Sequence, residues 1–425
     1  MTFALGVLPA ALLLLGFPIY LVLLAAVSVA LVFFMNVPLV ALHQNLFGAI
    51  DAFALLAVPF FIYAGELMGR GSVARRIVDV VKAGVGPVPG ALGVTTVGTS
   101  AIFGAISGAA AATVATVGRI MVPAMRANRY PEKFTAGLIT AVGAIDIIIP
   151  PSIPMIVYAA AANESVPKLY AAGILPGLLI AALIAGYVVW YSKRNGIDPG
   201  TRFLAPTFLK SLGRGLWALG APFIILGGIY GGVFSPTEAA AVACVYAAFV
   251  TWVVYRDVGW SEILDCAAAT VRLTAQVFII VACASVYAWL LTVQQVPQAL
   301  VAWIQGLGLG SAAVLLAINV LLLIVGCVID PLSAILVLTP LLVPVVKALG
   351  IDTVHFGIVL TVNLAIGLFT PPFGINIFVA QSVLKLPVQS IYRGIWPFLL
   401  LYLAALALIT HVPQISLAGV RWFLL

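Results

Sequence analysis

Two carboxylates and two proline pairs are the residues of this sequence best suited to chemistry. Asp146 lies four residues before Pro150 and Pro151 in the run IDIIIPPSIPM, and Pro371 and Pro372 occur in GLFTPPFGIN. Proline removes an amide donor and collides with the preceding turn, so a helix carrying such a pair must stop and restart. Carbonyls freed at the stop can hold a cation, and amides at the restart can face an anion. A carboxylate in an apolar run is costly unless it is paired, hydrated or protonated, so Asp146 predicts an ionic or protonic role. Asp330 precedes Pro331 at an expected turn, where it can cap the following helix, hold an ion, or do both. Ser152 and Thr370 sit at the two restarts, and Asn363 and Asn376 flank the second break. Those amides suit either helix-to-helix hydrogen bonding or ligand coordination.

Other polar residues read as structural. Ser235-Pro236-Thr237-Glu238 has the spacing of a capping box, which gives Glu238 a helix-starting task. Glu66 stands four residues before Arg70, the spacing of an ordinary helical ion pair, and is left out of the site on that ground. His43, His355 and His411 fall near span ends and read as interfacial. Cys244, Cys266, Cys283 and Cys327 show no metal-ligand spacing and read as small apolar side chains. There is no HExxH or GxSxG pattern and no Gly-Lys dipeptide. Hydrolytic machinery and a phosphate-cradling loop are therefore excluded, and active transport by this chain must draw on an ion gradient.

The elements that position these residues follow from composition. Of 425 residues 64% are hydrophobic and 8% charged, with a mean hydropathy of +1.23; soluble domains carry about 25% charged residues. Membrane-length apolar runs recur along the chain without the alternation of barrel strands, so the fold is predicted to be an all-α polytopic membrane protein. Lys and Arg distribute 17 to one side, with only Lys168, Lys347 and Arg421 opposite. The richer side is cytoplasmic. The net charge of +7 then reflects topology and anionic lipid, with no nucleic-acid partner. Residues 1–51 are expected to form N-terminal membrane helices. Within them the first residues read as a retained helix with no basic leader, and residues 1–35 as two short spans parted at Gly16-Phe17-Pro18.

Sliding the chain against itself by 221 residues aligns Pro150-Pro151 with Pro371-Pro372, Val122-Pro123 with Val343-Pro344, and Gly173-Ile174 with Gly394-Ile395. Two units are read from this duplication, 52–190 and 274–412, joined by linker and scaffold helices over 191–273 and followed by a tail, 413–425. On the charge map they enter the membrane from opposite sides, so the repeats are inverted, the architecture of secondary transporters. Each unit is assigned a surface arm (71–83; 296–306), a re-entrant hairpin (92–123; 311–346) and a proline-broken helix (134–159; 357–381). The first hairpin turns at Ser107-Gly108 and the second at Asp330-Pro331. Irregular backbone at membrane depth is tolerated where it lines a polar cavity, so both turns are expected at one central site.

Six blocks in order then resemble the large membrane subunit of tripartite ATP-independent periplasmic (TRAP) transporters, within the ion transporter superfamily. They are AGELMGRG (64–71), FGAISGAAAATVATVGRIMVPAM (103–125), IIIPPSIPMIVYA (147–159), GGVFSPTEAAAV (231–242), IDPLSAILVLTPLLVPV (329–345) and NLAIGLFTPPFGINIFVA (363–380). The resemblance implies an inner-membrane, elevator-type importer of organic acid anions such as C4-dicarboxylates or sugar acids. It implies sodium as coupling ion, with protons as an alternative, and no covalent cofactor. It also implies two partners, a small four-helix membrane subunit and a periplasmic solute-binding protein. Sodium is expected at Ser107, Gly108, Gly143 and Asp146, and at Asp330, Ser333, Gly367 and Thr370. Pro150, Pro151, Ser152, Asn363, Pro371, Pro372 and Asn376 complete the expected substrate and ion site. Two departures from the family pattern stand out. Ala109 replaces the second serine of the usual Ser-Gly-Ser turn, and Gly143-Ala144-Ile145-Asp146 replaces the usual Gly-Thr-Leu-Gly or Gly-Ser-Leu-Gly. One hydroxyl is lost from each element and a carboxylate is gained, so coupling is expected to depend on pH. The alternative in the same superfamily is a symporter or antiporter that needs no binding protein.

Overall fold

Prolines and short polar side chains set the helix boundaries in this chain. The computed structural model describes residues 3–35, 37–197, 200 and 203–424. Arg202 of the basic count, Met1 and Leu425 lie outside the described residues. Every regular element among the described residues is helical. In chain order these are α1 (Leu8–Leu14), α2 (Ile19–Phe34), α3 (Leu39–Ile50), α4 (Ala57–Arg70), α5 (Val73–Val85), α6 (Ala91–Ser107), α7 (Ala110–Ala127), α8 (Glu132–Asp146), α9 (Ile153–Ala162) and α10 (Val166–Arg194). They continue as α11 (Ala205–Tyr230), α12 (Pro236–Ala248), α13 (Trp260–Val293), α14 (Val296–Gly306), α15 (Ser311–Gly326), α16 (Pro331–Ala348), α17 (Thr353–Gly367), α18 (Ile375–Leu384), α19 (Val388–His411) and α20 (Gln414–Leu424). Among the described residues seven helical stretches, the longest Trp260–Val293, are long and apolar enough to cross a membrane.

The caps explain several boundaries. Ser235 and Glu238 form the expected capping box at the start of α12. Asp330 caps α16 and Asp352 caps α17, each accepting backbone amides. Gly108 ends α6 with φ +60°, a conformation glycine adopts without a Cβ penalty.

Element boundaries recur at the sequence offset. Adding 221 to α7 and α8 gives the bounds of α16 and α17. The hairpins are α6–α7 and α15–α16, the arms α5 and α14, and the broken helices α8–α9 and α17–α18. Charged Arg75, Arg76, Asp79 and Lys82 lie along α5, while Val73, Ile77 and Val80 are buried against α6 and α11. Arg76 stacks over the Tyr255 ring at 3.8 Å, and Asp257 accepts the Ser72 amide at 2.6 Å. Gly16-Phe17-Pro18 separates α1 from α2.

Two features differ from the simple sequence map. The 273/274 boundary falls inside α13, one continuous helix of 34 residues. The 413–425 tail carries α20, packed on α10 where Gly419 meets the Ala171 carbonyl. The interior of the fold interlocks the two units. Helix α7 packs on α18, and α9 on α16. Helices α8 and α19 touch through Gly137 and Gly394, where any Cβ would strike backbone of the facing helix.

Candidate functional site

Both hairpin turns and both helix breaks open onto one cavity of about 630 Å³. Ser107 to Ala112 line it from the first hairpin, Asp330 to Leu332 from the second, and Ile147, Ile153 and Pro154 from the first break. Leu368, Ile375 and Asn376 come from the second break, and α2, α4 and α13 close the remaining wall. Because α7, α9, α16 and α18 all begin here, four helix N-termini, with their partial positive charge, converge on the same space. No Lys or Arg lines it among the described residues.

Around the first break the predicted residues come together. Asp146 is fully buried, and Thr113 Oγ1 donates to its Oδ2 at 2.5 Å. The Ala109 and Gly108 amides lie alongside this carboxylate, yet its Oδ1 has no hydrogen-bond partner among the described residues. Gly104 lets α6 approach, since a Cβ there would stand 2.7 Å from Asp146 Cα. Ser107, 2% exposed, also has a hydroxyl without a partner among the described residues. Gly108 faces the Pro151 carbonyl, 3.3 Å from where a Cβ would stand, and at Gly143 a Cβ would meet the Ala110 carbonyl at 2.9 Å. Ser152 spans the break: its hydroxyl donates to the Ile147 carbonyl at 2.6 Å and caps α9 by accepting the Met155 amide. The Pro150-Pro151 and Pro371-Pro372 bonds are both cis.

Asn376 crosses between the units. Although it starts α18, its Nδ2 donates to the Thr140 carbonyl at 3.4 Å, and its Oδ1 has no partner among the described residues. It therefore belongs beside the first break as much as the second.

The second break is organised differently. Asp330 accepts the Ser333 amide at 3.0 Å and the Ser333 hydroxyl at 2.5 Å, so the capping interaction is present at a residue that also lines the cavity. Gly367 approaches Gly326 backbone to backbone, the contact that Gly104 and Asp146 make in the first unit. Thr370 donates to the Ile366 carbonyl at 2.7 Å. Where the first break has Ser152, the offset puts Phe373; the Leu368 carbonyl, counterpart of Ile147, accepts the Asn376 amide at 2.9 Å, and Tyr392 donates to the Pro372 carbonyl at 2.8 Å. Pro150, Pro151 and Ser152 are buried, whereas Pro371 is half-buried and Pro372 exposed. Asn363 does not line the cavity; its Nδ2 donates to Asn319 Oδ1 and to the Val359 carbonyl, both at 2.8 Å. Asn319 in turn donates to Thr410 at 3.0 Å, forming a polar ladder through α15, α17 and α19.

Two side chains differ from their reading by sequence spacing, and a third was not singled out there. Arg70 pairs with Asp265 at 3.7 Å, leaving Glu66 in the cavity wall. His355 is 2% exposed and meets Ser416 Oγ at 3.3 Å, so it is not interfacial. Thr113 carried no local signal, since only the hairpin fold brings it to Asp146.

The residues present suit a hard cation held by oxygen. Ser107 Oγ and Asp146 Oδ1 are buried oxygens without a hydrogen-bond partner among the described residues, at the C-terminal ends of α6 and α8, where helix dipoles favour positive charge. No group of three or more His, Cys, Asp or Glu is gathered among the described residues.

Residues 6–415 match the family model described as the tripartite ATP-independent periplasmic transporter, DctM component. The chain is 41% identical over 382 residues to the C4-dicarboxylate TRAP transporter large permease protein DctM of Pseudomonas aeruginosa, covering 90% of each. It is 39% identical over 409 residues to the ectoine/5-hydroxyectoine large permease UehC of Ruegeria pomeroyi, covering 96% of this chain and 95% of that one. It is 40% identical over 383 residues to the isethionate permease DctMQ of Oleidesulfovibrio alaskensis, covering 90% of this chain but spanning about 60% of that longer protein. The YdaH transporter of Alcanivorax borkumensis shares the fold, with a TM-score of 0.65 at 16% identity over 98% of this chain and 99% of that one. With a family model spanning nearly its whole length, relatives near 40% identity and seven membrane-length helices among the described residues, the chain belongs to the DctM component family of TRAP transporters and is a multi-pass bacterial inner-membrane permease, not an enzyme.

Proposed function

We propose that this permease imports organic acid anions in symport with a cation, receiving them from a periplasmic binding protein and working with a small four-helix membrane subunit. The observation that carries the reading is the convergence of four helix N-termini and both hairpin turns on one cavity without a basic side chain. In such a wall an anion is held by backbone amides, by the Ser107 hydroxyl and by co-transported cations, not by a guanidinium.

The cation travels as cargo. Asp146, Ser107 and backbone carbonyls around Gly143 and Pro151 receive it at the first break, and Asp330 with the Gly367 to Thr370 carbonyls at the second. Cation binding lowers the cost of bringing a carboxylate substrate close to Asp146 and Asp330, so each ligand favours the other. Sodium is the expected ion. Asp146 lets protons compete for the first position, because a buried carboxylate without a basic partner is neutralised by either cation.

Motion follows the inverted-repeat reading. Gly65 of α4 contacts Ser107, which a Cβ at position 65 would meet at 3.0 Å. Gly65 is five residues from Arg70, about 8 Å along the helix. By the charge map Arg70 is cytoplasmic, so the hairpin tip sits in the cytoplasmic half of the wall. The opposite state would carry hairpins and broken helices outward past α2, α4 and α13.

The test is uptake by proteoliposomes containing this chain and its small subunit. Accumulation of an organic acid is expected only with the cognate binding protein outside and an inward sodium or proton gradient. Uptake of free substrate without binding protein would favour the self-sufficient symporter, and uptake driven by ATP without a gradient would refute both.

A further inference from the structure

We propose that the cavity is built for an organic acid that also carries a positive nitrogen group, with Glu66 as its specificity residue. The inference rests on the cavity being the substrate site, as argued above, and narrows the substrate from anions in general to compact zwitterions.

Glu66 stands in a wall made mostly of Ala, Ile, Leu, Val and Pro. It is half-buried, and among the described residues it makes no hydrogen bond or ion pair, because Arg70 is taken by Asp265. A carboxylate facing an apolar cavity without a partner is costly, and that cost is offset when a cationic group docks beside it. Glu66 lies on α4, outside the hairpins and breaks whose carbonyls gather the coupling cations. Asp330 differs, since both its oxygens already accept from Ser333.

Asn376 supplies an independent second observation. It is fully buried and lines the cavity. The donation of its Nδ2 to the Thr140 carbonyl fixes the amide orientation, leaving Oδ1 as an acceptor without a donor. The exposed Gln276 adds a further amide to the wall. The cavity thus offers two kinds of group: four helix N-termini, whose partial positive charge suits a carboxylate, and acceptors at Glu66 and Asn376, which suit N–H groups. A dicarboxylate satisfies the first and is repelled by the second. A zwitterion satisfies both, and about 630 Å³ leaves ample room for a compact one.

Three probes of equal chain length separate the possibilities: succinate, butyrate and 4-aminobutyrate, which differ only at one end. Full-length protein in lipid nanodiscs at saturating sodium is titrated with each, with thermal unfolding as the readout. The wild type should bind 4-aminobutyrate about tenfold more tightly than the other two, the size expected for one charge-assisted hydrogen bond. Glu66→Gln should abolish that preference and leave butyrate binding unchanged, while Glu66→Asp, which keeps the charge, should retain it. Tighter binding of succinate by the wild type would overturn the inference and leave the organic-anion reading intact. Equal weakening of all three probes by Glu66→Gln, matched by weaker sodium dependence, would overturn it by making Glu66 a cation ligand. Failure of every probe to bind, together with uptake of no organic acid in proteoliposomes, would overturn both readings.

Discussion

Replacing Asp146 by asparagine changes one buried charge and almost no volume, which makes it the sharpest perturbation of the first cation position. Thr113 can still donate to the amide oxygen. That bond falls from a charged acceptor, about 1.5–3 kcal/mol, to a neutral one near 1 kcal/mol. The new NH₂ takes the place of Oδ1, which has no hydrogen-bond partner among the described residues, and the Gly108 and Ala109 amides alongside lose a charged neighbour. Against these losses the variant no longer buries a charge, and stability without sodium should stay within about 2 kcal/mol of the wild type. The sodium response is the discriminating quantity. At a sodium concentration 100 times Kd, binding stabilises the wild type by about 2.7 kcal/mol, and a tenfold weaker site at the same concentration yields about 1.4 kcal/mol. The measurement is thermal unfolding in nanodiscs with sodium exchanged for choline, paired with tracer uptake. Wild-type stabilisation by sodium should shrink as pH falls, because protons compete, and the asparagine variant should lack that trend. Asp146→Gly should retain some sodium-driven transport, since the surrounding carbonyls remain. Equal sodium stabilisation and equal pH dependence in wild type and both variants would refute the reasoning and leave Asp146 a purely structural residue.

Further predictions bear on the supports of this site. Ser152→Ala frees the Ile147 carbonyl and uncaps α9; it should cost about 0.5–2 kcal/mol in thermal unfolding and reduce uptake more than it reduces membrane insertion. Tyr392→Phe releases the Pro372 carbonyl and should weaken cation dependence measured by sodium titration of uptake, with little change in melting temperature because Pro372 is exposed. Gly104→Ala places a methyl group within 3 Å of Asp146 backbone; overpacking of about 1–3 kcal/mol should appear in unfolding, with uptake falling in parallel. Asn363→Leu breaks the ladder to Asn319 and should lower stability while leaving sodium affinity unchanged, as sodium-dependent unfolding would report.

Class and segmentation were legible in the sequence because both depend on local chemistry summed along the chain. Hydropathy identifies membrane helices whatever they pack against, and the paired prolines stop helices whatever surrounds them, so the breaks at 150–151 and 371–372 and the matching bounds of α7 and α16 follow directly. The capping assignments of Glu238 and Asp330 held for the same reason, since a cap involves residues within one turn. Both hairpin turns could be placed near one cavity because irregular backbone inside a membrane has few other places to go.

What the tertiary structure decided were partnerships over long sequence separations. Spacing alone offered Arg70 to Glu66, but a helix presents several faces, and Asp265 on α13 lies closer to the guanidinium. Asn363 and Asn376 look alike in sequence as polar residues flanking a break. Only packing turns Asn363 into the Asn319 ladder and brings Asn376 across to Thr140. His355 near a helix start reads as interfacial until α19 and α20 cover it. The two breaks have nearly the same sequence signature, yet the first is buried and bridged by its own Ser152, and the second leaves Pro372 exposed, with Tyr392 holding its carbonyl. Local sequence sets where the backbone must interrupt itself; which side chains satisfy the freed groups is settled by whichever helices the whole chain packs against them.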